Sequence, residues 1–187
     1  MNGDSDGYAS FLFGLGYRYD LTKRNTVKIG ATIGASGGGR IDTGGGFTHD
    51  LAVNLQHRFD NGLLAGIRAG LVNAPDGEFD ATSYAAYIGY GDRRPDKKHI
   101  SAKDIKPRHF RIRASHQTYM PTGDTRRIGQ TTPDNRDVHL VALQTDLFLN
   151  KSIYLTGQAI GAYDGGAGGY AVGLVGAGIQ RPFYKDS

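Results

Sequence analysis

The feature that most constrains this chain is a period of two in its apolar residues, which recurs in segment after segment. In YASFLFGLGYRY, every second residue from Ala9 to Tyr19 is apolar or aromatic, and the intervening residues are Ser10, Leu12, Gly14, Gly16 and Arg18. FTHDLAVNLQHRF shows the cleanest alternation, with Leu51, Val53 and Leu55 on one face. Successive residues of a strand point to opposite faces, so this pattern predicts strands with one apolar and one small or polar face.

Turn signals separate the alternating segments. Asp60-Asn61-Gly62 favours a tight hairpin turn, and short polar links around residues 20–25 and 150–152 join two other pairs of segments. Nine segments can be counted in this way, and no stretch has the 3.6-residue period of a helix. The sequence predicts an all-β chain of about 8–10 strands, folded as a single barrel domain over residues 1–187.

Alternation alone does not separate a soluble β domain from a membrane barrel, so the composition of the second face decides. That face is rich in Gly, Ala, Ser and Thr with isolated charges, whereas the apolar face carries aromatic residues near strand ends. Small residues inside and aromatic girdles outside are typical of a barrel embedded in lipid. We therefore predict an antiparallel transmembrane β-barrel, or part of one. Its outward apolar belt should contain Phe11, Phe13, Leu15, Ile29, Ile33, Leu51, Val53, Leu55, Ile67, Ile88 and Ile112.

The composition excludes several other classes. The mean hydropathy of -0.42 and the lack of an 18-residue apolar run exclude a helical membrane protein. The chain has no Cys, which removes disulfide frameworks and thiol catalysis. Its net charge of +4 weakly favours anionic partners, but the positive charges are too scattered for a nucleic-acid interface. MNGDSDGY lacks the basic and apolar regions of a signal peptide, which predicts a mature chain or an excised fragment.

Connection lengths suggest an orientation. The links after the first, third and seventh segments are short and those after the second, fourth and sixth are longer, although the fifth link, GDRRPDKKHISAKDIKP, is also long. Membrane barrels have short periplasmic turns and long outer loops, which would place the start of the first strand outside. Bacterial barrels normally have an even strand number. We therefore expect a strand upstream of the first to be missing or uncounted, or a partner chain to complete the barrel.

The alternation of the first strand, the Asp60-Asn61-Gly62 turn and the GGAGGY connection resemble bacterial outer-membrane β-barrel proteins as a broad class. The resemblance covers nearly the whole chain. It implies the outer membrane of a Gram-negative cell envelope as location and the lipid bilayer as partner. It also implies an anchoring, export or porin-like transport role, and it carries over no catalytic residue.

Other motifs are better explained by turns and strands than by chemistry. Residues 2–7, NGDSDG, match the start of a calcium loop, but the twelfth position is Phe13 instead of a bidentate Glu. The glycine-rich runs 37–39, 44–46 and 165–169 lack the Lys and Ser/Thr of a phosphate loop. Ser115, His116 and Asp146 suggest a lipid-modifying barrel hydrolase, yet adjacent strand residues face opposite ways. We predict no metal site and no cofactor, and an enzyme is the least favoured alternative.

The polar face supplies the candidate site. The residues predicted to line the lumen are Arg18, Lys28, Asp50, Gln56, Arg58, Arg68, Arg111, Arg113, Asp146 and Gln158. Unpaired charges are costly inside a narrow barrel, so these groups should form ion pairs with one another or line water. A structural network that plugs the barrel and a conduction path for an anionic solute or polysaccharide both remain open. The alternative to both is a soluble all-β binding domain.

Overall fold

The computed structural model describes residues 9–37, 43–91, 109–122, 136–149, 152–164 and 171–182. These residues form nine strands: β1 (Ala9–Asp20), β2 (Asn25–Gly37), β3 (Phe47–Arg58), β4 (Leu63–Asn73), β5 (Asp80–Gly91), β6 (His109–Pro121), β7 (Val138–Phe148), β8 (Ile153–Asp164) and β9 (Ala171–Pro182). Each strand coincides with one of the period-two segments. The prediction of an all-β barrel of 8–10 strands is confirmed.

The sheet is a closed barrel in which each strand pairs with its neighbours along the chain. These pairs are antiparallel, and the barrel closes through a parallel pairing of β1 with β9, from Ala9 opposite Ala171 to Asp20 opposite Pro182. We expected an even number of strands, with a further strand upstream of β1. Within the described part of the chain, the ninth strand instead runs in the same direction as β1 and pairs with it directly. The expected even number is therefore not found, since nine strands close the barrel; an odd number is known in a mitochondrial membrane barrel, whereas bacterial single-chain barrels have even numbers.

The strand register fixes the size of the barrel. If one starts at Tyr19 and moves from each residue to its partner on the next strand, one full circuit of the barrel returns to β1 at Ala9. The stagger is therefore ten residues. The residues on this path are Val27, Leu55, Ile67, Ala86, His116, Val141, Gly161 and Ala171. For strand spacings of about 4.8 Å and rises of about 3.3 Å per residue, this stagger gives a tilt of about 37° and a radius of about 9 Å. A 12-residue strand such as β1 then spans about 30 Å along the axis, enough to cross the apolar band of about 25 Å in outer-membrane barrels.

The two ends of the barrel differ. We call the end where β1 begins the upper rim and the end where β1 finishes the lower rim. At the lower rim the β3–β4 hairpin closes through a Gly62 amide that donates to the Phe59 carbonyl at 3.1 Å. Gly62 has a φ of 87°, which favours glycine, and this explains the Asp60-Asn61-Gly62 signal in the sequence.

The outer wall of the described strands carries large apolar side chains all around the barrel, with a few polar residues such as His116 among them. All eleven residues of the predicted belt are exposed, from 41% for Ile112 to 75% for Leu15. Aromatic residues lie on this wall towards both ends, including Tyr17, Phe59, Tyr90 and Phe110 near the lower rim and Phe11, Phe47 and Tyr163 near the upper rim. The prediction of an outward apolar belt is confirmed.

The interior has three layers. Below the upper rim, apolar side chains form a buried cluster that includes Phe79, Tyr119, Leu140, Ile160 and Val172. Near the lower rim the buried side chains are charged or polar and include Arg18, Arg111 and Asp146. A cavity of about 90 Å³ lies between these two layers. The interior therefore differs from that of a usual soluble barrel, whose core is apolar throughout, because its lower layer contains buried charged side chains.

Candidate functional site in the barrel interior

The ten residues predicted to line the lumen lie on the inward faces of their strands. Five are buried, namely Arg18, Gln56, Arg111, Arg113 and Asp146. Lys28, Asp50, Arg68 and Gln158 line the central cavity together with Arg113. Arg58 lies on the same face of β3 as Gln56, and its Nη1 donates to the Gly91 carbonyl at 3.0 Å.

The centre of the lower layer is a carboxylate shared by two arginines. Asp146 on β7 is fully buried, and its Oδ2 accepts hydrogen bonds from Arg111 Nε at 2.8 Å and from Arg113 Nη2 at 2.7 Å. Its Oδ1 accepts from Thr156 Oγ1 at 2.7 Å. The arrangement follows from the register, since Asp146 is directly opposite Arg111 in the β6–β7 pair and Arg113 is two residues further along the same face.

Aromatic rings complete the packing around this pair of arginines. The Arg111 guanidinium lies 5.1 Å from the centre of the Phe148 ring, and that of Arg113 lies 5.5 Å from the Tyr87 ring. Both distances are within the range of cation–π contacts. The guanidinium groups are therefore held by charge on one side and by ring faces on the other.

Two further ion pairs lie on the inward faces. Arg18 Nε donates to Asp20 Oδ1 at 3.1 Å, and Thr26 Oγ1 donates to the same carboxylate oxygen at 2.8 Å. Arg68 forms an ion pair with Asp50, and its Nη1 donates to Ser83 Oγ at 2.7 Å. The expectation that inward charges pair with one another therefore holds for Asp20, Asp50 and Asp146, each of which has an arginine partner.

Lys28 is the exception in this network. Among the described residues, no carboxylate lies within 4 Å of its ammonium group, which instead lies 5.3 Å from the centre of the Tyr154 ring. The inward faces of the described strands carry six cationic side chains and three carboxylates. The cations are Arg18, Lys28, Arg58, Arg68, Arg111 and Arg113, and the carboxylates are Asp20, Asp50 and Asp146. The interior formed by these strands therefore carries three more positive than negative groups.

Sequence reasoning missed several residues that shape the interior. Tyr154 is completely buried, Tyr87 is buried, and both line the cavity. The alternation contained a signal for each. Tyr154 lies on the same face of β8 as the predicted inward residue Gln158, and Tyr87 precedes the outward Ile88 in β5 and therefore points to the other face. Phe79 was not predictable in this way, since it lies in the β4–β5 connection, where the period of two does not apply.

The imagined hydrolase residues are not brought together. Ser115 lines the cavity and Asp146 is bound to arginines, whereas His116 is on the outer wall with its Nε2 2.7 Å from Tyr163 Oη. In the described part of the chain, no group of three or more His, Cys, Asp or Glu side chains is placed to hold a metal ion. The calcium-like motif at residues 2–7 and the glycine-rich run 165–169 lie outside the described residues.

Within the described residues, no helix is long and apolar enough to cross a membrane. Comparison of the chain with protein-family models, with curated proteins and with solved structures finds no match.

Proposed function

We propose that this chain is an outer-membrane β-barrel of the bacterial cell envelope that acts as a membrane anchor and whose interior is filled by its own side chains. The observation that carries the proposal is the outer wall. Large apolar side chains that would form the core of a soluble barrel, such as Phe13, Leu15 and Ile88, are more than half exposed. In water, an apolar surface around the whole circumference would drive aggregation, whereas a bilayer buries it.

The interior favours anchoring over export or conduction. Phe79, Tyr119 and Leu140 are buried in the upper layer, and Arg111 and Asp146 are buried in the lower layer. A conduction path would have to pass both layers, and the cavity between them is too small for a polysaccharide chain. The barrel is thus better suited to hold attached segments at the membrane than to pass a large solute.

Anion conduction is the second candidate, and the excess of inward cations supports it. Lys28, Arg68 and Arg113 line the cavity, so mobile anions would be attracted and cations repelled wherever water is continuous through the barrel. This candidate predicts anion-selective currents in planar bilayers. Their selectivity for anions over cations should decrease at high salt, because salt screens the charges of the wall. The anchor predicts a barrel that inserts without such currents.

The membrane proposal is tested by placing a charge on the outer wall. Leu15 lies midway along β1 and is 75% exposed, and Leu63 lies at the lower end of β4 and is 49% exposed. In a bilayer Leu15→Arg should cost about 2–4 kcal/mol and the matched control Leu63→Arg about 0–1 kcal/mol, because the cost of a lipid-facing charge depends on depth. In a soluble domain both are surface substitutions of little effect.

The measurement is refolding from urea into phosphatidylcholine vesicles, followed by the mobility shift of the folded barrel on unheated gels and by circular dichroism. Wild type and Leu63→Arg should insert, and Leu15→Arg should insert poorly or unfold at lower urea. Equal behaviour of the two arginine variants, or a wild-type chain that stays folded and monomeric in detergent-free buffer, would favour the soluble binding domain instead.

A further inference from the structure

Several polar atoms of the side chains that line the central cavity have no partner among the described residues, including Thr32 Oγ1 and the acceptor Asp50 Oδ1 besides the two donors described next. Arg113 and Tyr154 are at least nine-tenths buried, and both line the cavity. Arg113 Nε and Tyr154 Oη have no hydrogen-bond acceptor among the described residues, although Arg113 Nη2 binds Asp146. A buried donor without an acceptor costs about 1–3 kcal/mol, so the position of these two groups requires an explanation.

Lys28 brings a charge to the same part of the cavity. The Lys28 side chain and the Tyr154 hydroxyl lie on either side of Gly16. A Cβ at that position would be 3.2 Å from Lys28 Cε and 3.1 Å from Tyr154 Oη. Gly16 therefore keeps the space beside the ammonium and hydroxyl groups open. The side-chain amide of Asn54 lies on the same cavity wall and can donate as well, whereas Gln144 Nε2 already donates to Thr156 Oγ1 at 2.8 Å.

We infer that the cavity binds a small inorganic anion between Lys28, Arg113 and Tyr154. All three side chains line the cavity, two of them are cationic, and the inward faces of the described strands have an excess of three positive groups. A water molecule needs about 10–15 Å³ of such volume, so about 90 Å³ accommodates chloride or a small oxyanion with part of its hydration shell. A cation is disfavoured because Lys28, Arg68 and Arg113 line the cavity against one described carboxylate, Asp50, which forms an ion pair with Arg68 although its Oδ1 has no donor among the described residues.

Water alone would satisfy the hydroxyl and the guanidinium, but it would leave the Lys28 charge uncompensated. An ammonium group gains more from a neighbouring negative charge than from a neutral acceptor. An anion compensates the charge and accepts from all three groups together. This inference goes beyond the anchoring role and does not depend on it, because the cavity is a property of the folded barrel in detergent as well as in lipid.

The test uses chloride as the probe and the full chain refolded in detergent. Sodium chloride replaces sodium gluconate at constant ionic strength, since gluconate is too large for the cavity. Two quantities are measured, the excess ³⁵Cl NMR linewidth per protein and the shift in the unfolding temperature. Lys28→Met removes the charge at similar volume, Tyr154→Phe removes only the hydroxyl, and Arg24→Gln removes an exposed cation from the β1–β2 turn as the matched control.

We expect wild type and Arg24→Gln to broaden the chloride signal, to lose the broadening when nitrate competes, and to be stabilised by chloride relative to gluconate. Lys28→Met should weaken chloride binding at least tenfold and Tyr154→Phe severalfold. The inference is overturned if folded wild type and folded Lys28→Met respond identically to chloride in both measurements, or if Arg24→Gln abolishes the response. If Lys28→Met does not fold, the chloride responses of folded wild type and folded Tyr154→Phe are compared instead, and identical responses would overturn the inference. Failure of vesicle insertion with intact chloride binding would count against the anchor alone.

Discussion

Among the charges of the described residues, the Asp146 carboxylate should be the most stabilising one. Asp146→Asn keeps the shape of the side chain but removes its charge, which leaves Arg111 and Arg113 close together in a buried layer. Removing one partner of a buried ion pair typically costs about 3–5 kcal/mol. Because Asp146 serves two arginines, we expect at least that range, equivalent to a decrease of about 10²–10⁴-fold in the folding equilibrium.

A second ion pair of the same length provides the control. Arg24 Nη2 lies 2.8 Å from Asp60 Oδ2, the same distance as Arg111 Nε from Asp146 Oδ2. The side chains of Arg24 and Asp60 are 59% and 79% exposed, so solvent screens their interaction. Asp60→Asn should therefore cost no more than about 1 kcal/mol.

The free energy of unfolding would be measured by urea titration in vesicles or detergent, with circular dichroism and gel mobility as independent probes. Adding Arg113→Gln to Asp146→Asn should recover part of the lost stability, with a coupling of about 1–3 kcal/mol in the double-mutant cycle. If Asp146→Asn and Asp60→Asn differ by less than about 1 kcal/mol, burial does not control the strength of these pairs and the argument is refuted.

Two other substitutions test how the interior is filled. Gly178→Ala should lower the free energy of unfolding by about 1–3 kcal/mol, because the added Cβ would lie 2.1 Å from Tyr154 Cζ. Tyr154→Leu should partly restore the stability in the double variant, and urea titration measures both effects. Phe79→Ala should cost about 3–5 kcal/mol in the same titration, since Phe79 is buried in the upper layer, but it should open no current in planar bilayers because the buried charges of the lower layer still fill the barrel.

The outer wall was predictable from the sequence because its signal is local. Each outward position in β1 and β3 carries a residue such as Phe13 or Val53, and the period of two converts directly into two faces. In β7 and β8 the signal is weaker. Leu140 is completely buried and Val141 is exposed, but both are apolar, so alternation could not say which one faces inward.

The closure of the barrel and the contents of its upper layer were not predictable, since both depend on residues far apart in the chain. The parallel pairing of β1 with β9 depends on the total number of strands. Phe79 enters the upper layer from a connection, where composition indicates only a turn. The ion pair of Asp146 with Arg111 is intermediate, because the sequence required inward charges to pair and the register of β6 and β7 selects the partners.

The contrast between the layers of the interior bears on what the inward charges do. The upper layer shows that this sequence fills the barrel with Leu140, Ile160 and Val172, and well-packed apolar side chains are often as stabilising as buried ion pairs. Charges are therefore not needed to fill the lower layer. The arginines bound to Asp146 fix one arrangement of β6 against β7, which is a structural use. Lys28 has no such carboxylate in the described part of the chain, so its placement is explained by an anion in the cavity. Lys28→Met should then be more stable than wild type in gluconate and lose that advantage in chloride; a variant that is less stable in both salts would assign Lys28 to packing.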